Sequence, residues 1–204
     1  MIAIIDYGLG NVRAIANVYN NLEIPTAIVK DPENVKKADK IILPGVGAFD
    51  QAIHSLEESG FRKILDDIVL NRYVPILGIC VGMQMLARSS EEGNAKGLGW
   101  IDAEVKRFDF SSTISPPCVP HMGWNDVEPV RECVLFHGLD REARFYFLHS
   151  YFMDCRKPEN VIALTDYSGP FACAVNAENV YGVQFHPEKS HGCGIQLLKN
   201  FAEI

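Results

Sequence analysis

No apolar run in this 204-residue chain is long enough to cross a bilayer: the longest, Val74 to Ala87, falls short of the roughly 20 residues a spanning helix needs and is broken by Gln84. The N-terminus has no basic segment followed by a small-residue cleavage site. Met1-Ile2-Ala3-Ile4-Ile5 therefore reads as a first buried strand, not a signal, and a cytoplasmic location is expected. Basic clusters are also missing. With 19 Lys and Arg against 26 Asp and Glu, the formal net charge is −7, which argues against a nucleic-acid partner. The six cysteines, at 80, 118, 133, 155, 173 and 193, include no Cys-x-x-Cys pair, so neither a zinc knuckle nor a disulfide framework is indicated and reduced thiols are expected. There is no repeat, low-complexity stretch or linker, and one domain over 1–204 suffices. What is present is ordinary for a soluble globular chain: 48% hydrophobic and 22% charged residues.

The elements alternate as in an α/β fold with a mostly parallel central sheet flanked by helices. Strands are predicted at Ile2 to Asp6, Thr26 to Val29, Lys40 to Leu43 and Pro75 to Cys80, with helices at Asn11 to Asn21, Ala48 to Asn71 and Gly82 to Ser89. From Trp100 onward shorter runs suggest additional mixed or antiparallel strands: Glu104 to Phe108, Ala143 to Phe152, Asn160 to Thr165, Cys173 to Val175 and Tyr181 to Phe185. A last helix runs from Cys193 to Glu203.

Gly78-Ile79-Cys80-Val81-Gly82 places a thiol between glycines at the end of the apolar run Val74-Pro75-Ile76-Leu77. A strand feeding a sharp turn can lift a nucleophile, and the flanking glycines remove side chains that would clash at that corner. At a helix N-terminus a cysteine pKa can fall from about 8.5 to roughly 3.5–7.5. The plainer reading is a buried structural cysteine. A second segment, Gly182-Val183-Gln184-Phe185-His186-Pro187-Glu188, ends an apolar strand in a histidine with a carboxylate two residues on. In an extended chain positions i and i+2 share a side, so Glu188 would hold one ring nitrogen of His186 while the other faces Cys80. The chain order nucleophile, histidine, acid then points to catalysis.

These segments resemble the class I glutamine amidotransferases, a family with a Cys-His-Glu triad in an α/β fold. Asp6-Tyr7-Gly8-Leu9-Gly10-Asn11, Pro44-Gly45-Val46-Gly47-Ala48-Phe49, Gly82-Met83-Gln84 and Pro120-His121-Met122-Gly123-Trp124-Asn125 carry the likeness, together with the tail Gln184 to Ser190. Within the family they are most similar to glutaminase subunits of imidazole glycerol phosphate synthase. The resemblance implies glutamine hydrolysis through a Cys80 thioester with His186 as base and Glu188 as its orienter, and no metal or organic cofactor. It implies an oxyanion hole from the Val81 N–H and the Pro44–Gly47 loop, with Val46 and Gly47 as donors after a peptide reorientation. It places Gln84, His149, Ser150 and Tyr151 around glutamine, although Ser150 and Tyr151 read equally well as plain strand residues.

Pro120 to Asn125 is expected to form an irregular loop. Its aromatics suggest a surface, while Trp124 buried beneath a turn is the alternative. By resemblance His121, Met122, Trp124, Asn125 and Lys189 would face a (β/α)8-barrel cyclase in a heterodimer that receives ammonia and makes imidazole glycerol phosphate and an aminoimidazole carboxamide ribonucleotide. Trp100, Ala87-Arg88 and Ser190-His191-Gly192-Cys193-Gly194 instead look closer to relatives serving surface-sugar amidotransferases, which keep the triad and change only the ammonia acceptor. A non-catalytic module of the same fold is a third reading. The cysteines other than Cys80 are expected to be buried or unactivated.

Overall fold

The computed structural model describes residues 1–111, 117–140 and 142–204. In chain order, β1 (Ile2–Ile5) leads through α1 (Val12–Asn21) to β2 (Thr26–Val29) and β3 (Lys40–Gly45). Then come α2 (Phe49–Glu58), α3 (Phe61–Asp66), β4 (Ile76–Cys80), the one-turn α4 (Val81–Gln84), the short β5 (Ser89–Ser90) and β6 (Ala103–Arg107). The second half contains β7 (His121–Asp126), β8 (Glu128–Pro129), β9 (Arg144–His149), β10 (Tyr151–Cys155), β11 (Val161–Asp166), β12 (Pro170–Ala177), β13 (Val180–Val183) and α5 (His191–Glu203).

The main sheet runs β2-β1-β3-β4-β13-β12-β10-β6-β5, with β11 and β8 joined alongside β12. Its first five strands are parallel. From β12 to β6 pairing is antiparallel, so the expected mixed architecture is found. The parallel strands are apolar on both faces because helices cover both; every residue of β1 and β4 is buried. Helix α2 packs Phe49, Ala52, Ile53 and Leu56, the i, i+3, i+4, i+7 stripe of an amphipathic helix. Tyr19 of α1 sends its hydroxyl to the Leu198 carbonyl of α5 at 3.0 Å, tying the two helices together.

Four predicted elements differ. The long helix Ala48 to Asn71 is broken at Ser59-Gly60, where Gly60 takes φ +79°, and resumes as α3 and a π-helical turn at Asp67–Asn71. The helix after Cys80 is only α4. Pro120 to Asn125 is not a loop: it supplies β7, which pairs antiparallel with β9 in a separate two-stranded ribbon. The predicted strand Ala143 to Phe152 accordingly splits at Ser150, β9 joining the ribbon and β10 the main sheet.

The corner between β4 and α4 is built on close backbone approach. A Cβ on Gly82 would sit 1.9 Å from the Leu43 carbonyl oxygen of β3, and one on Gly78 would sit 2.6 Å from the Gly82 oxygen. This generates a stability contrast. Gly82→Ala must push β3 and α4 apart and should lose about 3 kcal/mol or more, an overpacking penalty at rigid backbone. Gly192→Ala, in the first turn of α5 with nothing within 4 Å of the added methyl, should gain about 0.5–1 kcal/mol through lost unfolded-state freedom. Urea unfolding midpoints measure both, and a Gly82→Ala protein as stable as the wild type would refute the contact.

Candidate active site

Cys80 ends β4 with φ +56° and ψ −115°, a strained conformation for a residue with a Cβ. The strain is held by α4 lying on β3, and it lifts the thiol to the carboxyl edge of the parallel strands, where open α/β sheets bind ligands. His186 follows β13, the neighbour of β4, and reaches the same edge. Its Nδ1 lies 2.9 Å from Glu188 Oε1, and its ring shares the cavity wall with the Cys80 thiol, close enough for the two to interact electrostatically. The three predicted triad residues are therefore brought together at one edge of the sheet. The His186–Glu188 contact is made differently from the expectation: His186 is extended, but Pro187–Lys189 is a 3₁₀ turn, and that turn, not strand periodicity, brings Glu188 back to the imidazole.

Two groups absent from the predicted site hold this turn. Asn11 Nδ2 donates to Glu188 Oε1 at 2.7 Å. Asparagine is a strong N-cap type, yet the Asn11 side chain makes no capping bond to α1 and is spent on the carboxylate instead. Ser190 Oγ donates to the His186 carbonyl at 2.6 Å and accepts from the Tyr146 N–H at 3.0 Å, fastening the turn to β9. Glu188 Oε2 is buried without a hydrogen-bond partner, so the carboxylate accepts both donors on one oxygen.

Burial opposes a charged His186, but hydrogen bonds to the Cys80 sulfur and the Glu188 carboxylate outweigh it and raise its pKa from 6.5 to about 10. Burial likewise opposes a charged Glu188. The His186 and Asn11 hydrogen bonds win there and lower its pKa.

A cavity of about 310 Å³ opens onto Cys80 and His186. Val46, Gly47 and Val81 line one part of it, and Gln84, His149, Ser150 and Tyr151 another. All the residues assigned to the oxyanion and glutamine subsites thus border one space of ligand size. Gln84 is locked: its Nε2 donates to the Tyr151 carbonyl and to Gln184 Oε1, each at 3.0 Å. Gln184, missed as a site residue although it lies in the quoted tail, extends its own Nε2 to within 3.8 Å of Cys80 Sγ.

The five residues grouped as a partner surface divide. In a strand alternate side chains face opposite ways. Met122 and Trp124 point out, 66% and 39% exposed, while His121 and Asn125 turn inward. His121 as a surface contact is therefore corrected: it is 3% exposed, stacked on Tyr167 at 3.9 Å between ring centroids and hydrogen-bonded to His149. Asn125 is half-buried and donates to the Asp166 carbonyl at 2.7 Å. Lys189 is exposed, 5.7 Å above the Tyr146 ring. Trp124 also stacks on His191 at 5.1 Å. Trp100, one of the residues that leaned toward surface-sugar relatives, bonds Asp66 at 2.9 Å on α3, a structural tie remote from the cavity lining.

All six cysteines are free. Burial raises Cys133, pushes Cys155 up to about 12, and raises Cys173 further. Cys118 is exposed. A glutamine-analogue electrophile should modify Cys80 first, because only there does a bound analogue meet a sulfur. Cys118 should follow only at excess reagent, as peptide mapping by mass would show. The sign of the pH dependence is also fixed. The raised His186 contributes stability that is complete below pH 6.5 and lost as pH climbs through about 10, while Glu188 contributes above its ordinary value of 4.5 and loses this on acidification. His186→Gln should flatten the fall in urea midpoint between about pH 7 and about 10; an unchanged slope would sink the assignment.

With this geometry in view, three comparisons bear on the chain. The family model for glutamine amidotransferase class-I matches residues 3–204. A Bdellovibrio bacteriovorus protein named imidazole glycerol phosphate synthase subunit HisH is 55% identical over the full length of both chains, and its Leptospira interrogans namesake is 52% identical over the same span. Among solved structures, the PurLQS structure from Thermotoga maritima superposes with a TM-score of 0.75 over 99% of this chain and 97% of that one, at 16% identity, a likeness of fold alone.

Proposed function

The chain belongs to the class I glutamine amidotransferases, and we propose that it is, over 1–204, the glutaminase subunit of an imidazole glycerol phosphate synthase, acting in histidine biosynthesis. The observation that carries the chemistry is the convergence of Cys80 and the bonded pair His186–Glu188 at the edge of one cavity, with Cys80 on a strained elbow. The assignment to histidine synthesis, over the surface-sugar alternative, rests on the full-length HisH relatives.

His186 takes the thiol proton of Cys80, and the thiolate attacks the side-chain amide carbon of glutamine. The carbonyl π pair moves to oxygen, and the oxyanion is met by N–H donors, that of Val81 and one from Val46 or Gly47. Collapse re-forms the carbonyl and breaks the C–N bond, the leaving nitrogen takes the proton from His186, and ammonia departs from a Cys80 thioester. Water, giving a proton to His186, attacks the thioester and releases glutamate, and the thiol is restored. Glu188 keeps the imidazole oriented throughout and offsets its charge.

Ammonia goes to a cyclase subunit of (β/α)8-barrel type in a heterodimer. The docking face is the outer side of the β7–β9 ribbon. Met122, Trp124 and Leu148 are exposed there, and Leu148 and Lys189 also border the cavity. A partner seated on this face covers the mouth through which ammonia leaves, so the product avoids bulk water. The expected site is a cytoplasmic, soluble complex; among the described residues no helix is long and apolar enough to span a membrane.

Cys80→Ala should lower glutamine hydrolysis by about 10⁴-fold or more, since triad members act as a unit. The same variant in complex with the cyclase should still make product from added ammonium salt. Trp124→Ala should leave glutamate release intact while weakening the complex or uncoupling glutamine use from product. Paired assays of glutamate and final product, with either nitrogen source, test the division of labour. A Cys80→Ala complex unable to use free ammonia would overturn it.

A further inference from the structure

Two buried histidines, His121 and His149, stand outside the hydrolytic mechanism. His149 Nδ1 lies 2.8 Å from the Tyr151 carbonyl oxygen. A carbonyl only accepts, so Nδ1 carries the proton, and in a neutral ring Nε2 is then an acceptor. His121 Nδ1 lies 3.1 Å from that Nε2 and must donate to it. His121 Nε2 is left as an acceptor, and Asn125 Nδ2 stands 3.3 Å away to donate. The Asn125 nitrogen also serves the Asp166 carbonyl at 2.7 Å. Every ring nitrogen is occupied, and the direction of each bond follows from a backbone carbonyl at one end.

That carbonyl is the one that Gln84 Nε2 also bonds. With both lone pairs taken by His149 and Gln84, the Tyr151 carbonyl is saturated and the cavity wall at 149–151 is pinned. From Gln84 the chain continues to Gln184 and to the Cys80 sulfur. His149 borders the cavity, yet it has no ring nitrogen to offer a ligand. The role the resemblance implied for it, direct contact with glutamine, becomes an indirect one.

We propose that His121 is a positioning residue of the glutamine pocket: it locks the tautomer of His149 and, through the doubly bonded Tyr151 carbonyl, fixes Gln84 and the cavity wall. This rests on the cavity being the glutamine site. Because β7 presents His121 inward and Met122 and Trp124 outward, the strand that forms the docking face is the same strand that sets the pocket wall.

His121→Phe removes the donor while keeping a ring to stack on Tyr167 and Phe147, which lie 3.9 and 4.8 Å from the His121 ring. His121→Asn keeps a donor near the Nδ1 position. In His121→Phe the KM for glutamine should rise about tenfold, the effect of one buried acceptor left unpaired. The kcat should change far less, because no reacting atom is touched. His121→Asn should restore most of the KM. Imidazole ¹H–¹⁵N correlation spectra of the wild type at neutral pH should show both rings as Nδ1–H tautomers. An Nε2–H tautomer at either ring, or an unchanged KM in folded His121→Phe, would overturn the proposal. If His121→Phe does not fold, the tautomers and the His121→Asn KM decide. A wild type that fails to hydrolyse glutamine even with the cyclase would refute the pocket assignment instead, and the spectra would still decide the lock.

Discussion

The catalytic edge depends on one close contact, that of the α4 turn against the backbone of β3. With no Cβ at Gly82, the turn rests on the Leu43 carbonyl, and Cys80 is left only the conformation at φ +56°. This single approach sets the height of the sulfur over the sheet. It also brings Val81 beside the Pro44–Gly47 loop, since Gly45 pairs with Cys80 in the β3–β4 register. Tyr7 strengthens the same corner by donating to the Pro44 carbonyl at 2.8 Å. The strain in Cys80 is thus maintained by packing that the rest of the parallel sheet makes rigid.

Four histidine and glutamate side chains crowd this edge, and their surroundings separate them into two electrical kinds. His186 faces a sulfur and a carboxylate, so its proton is held and its pKa rises. His149 and His121 meet only a carbonyl, each other and an amide; burial dominates, pushing His149 down to about 3 and His121 down to about 4. The ring whose pKa is raised lies against charge, and the two rings whose pKa values fall lie against neutral dipoles. The separation leaves His186 far more basic than the other two buried imidazoles.

Much of this was legible in the chain. Glycines flanking Cys80, and the His186-Pro187-Glu188 run, mark the candidate site because they are read directly from adjacent residues. The parallel core is equally plain, since β1 and β4 are unbroken apolar runs. What escaped was set by distant partners. Asn11 has the composition of a helix cap, and only the fold shows its amide turned 177 positions along the chain to Glu188. Gln184 was visible as a motif residue, but its bond to Gln84 joins the end of α4 to the segment just after β13, two places that sequence alone does not bring together. The stretch from Pro120 to Asn125, with proline and glycine in it, carries the signature of a turn. It forms a strand because β9 supplies hydrogen-bonding partners and an aromatic floor.

A two-stranded ribbon is marginal on its own, and β7–β9 is held by what lies beneath it. Phe145 and Phe147 are fully buried, and Phe145 stacks on Phe185 at 4.1 Å, just before His186. The His186 N–H donates to the Tyr146 carbonyl at 2.9 Å, so the ribbon is bonded to the triad segment as well as packed on it. Its inner face carries the histidine lock and its outer face the exposed Met122, Trp124 and Leu148. The ribbon that carries this outer face is also packed and bonded to the cavity wall and to His186. The exposed apolar residues and the cavity wall are thus two faces of one ribbon.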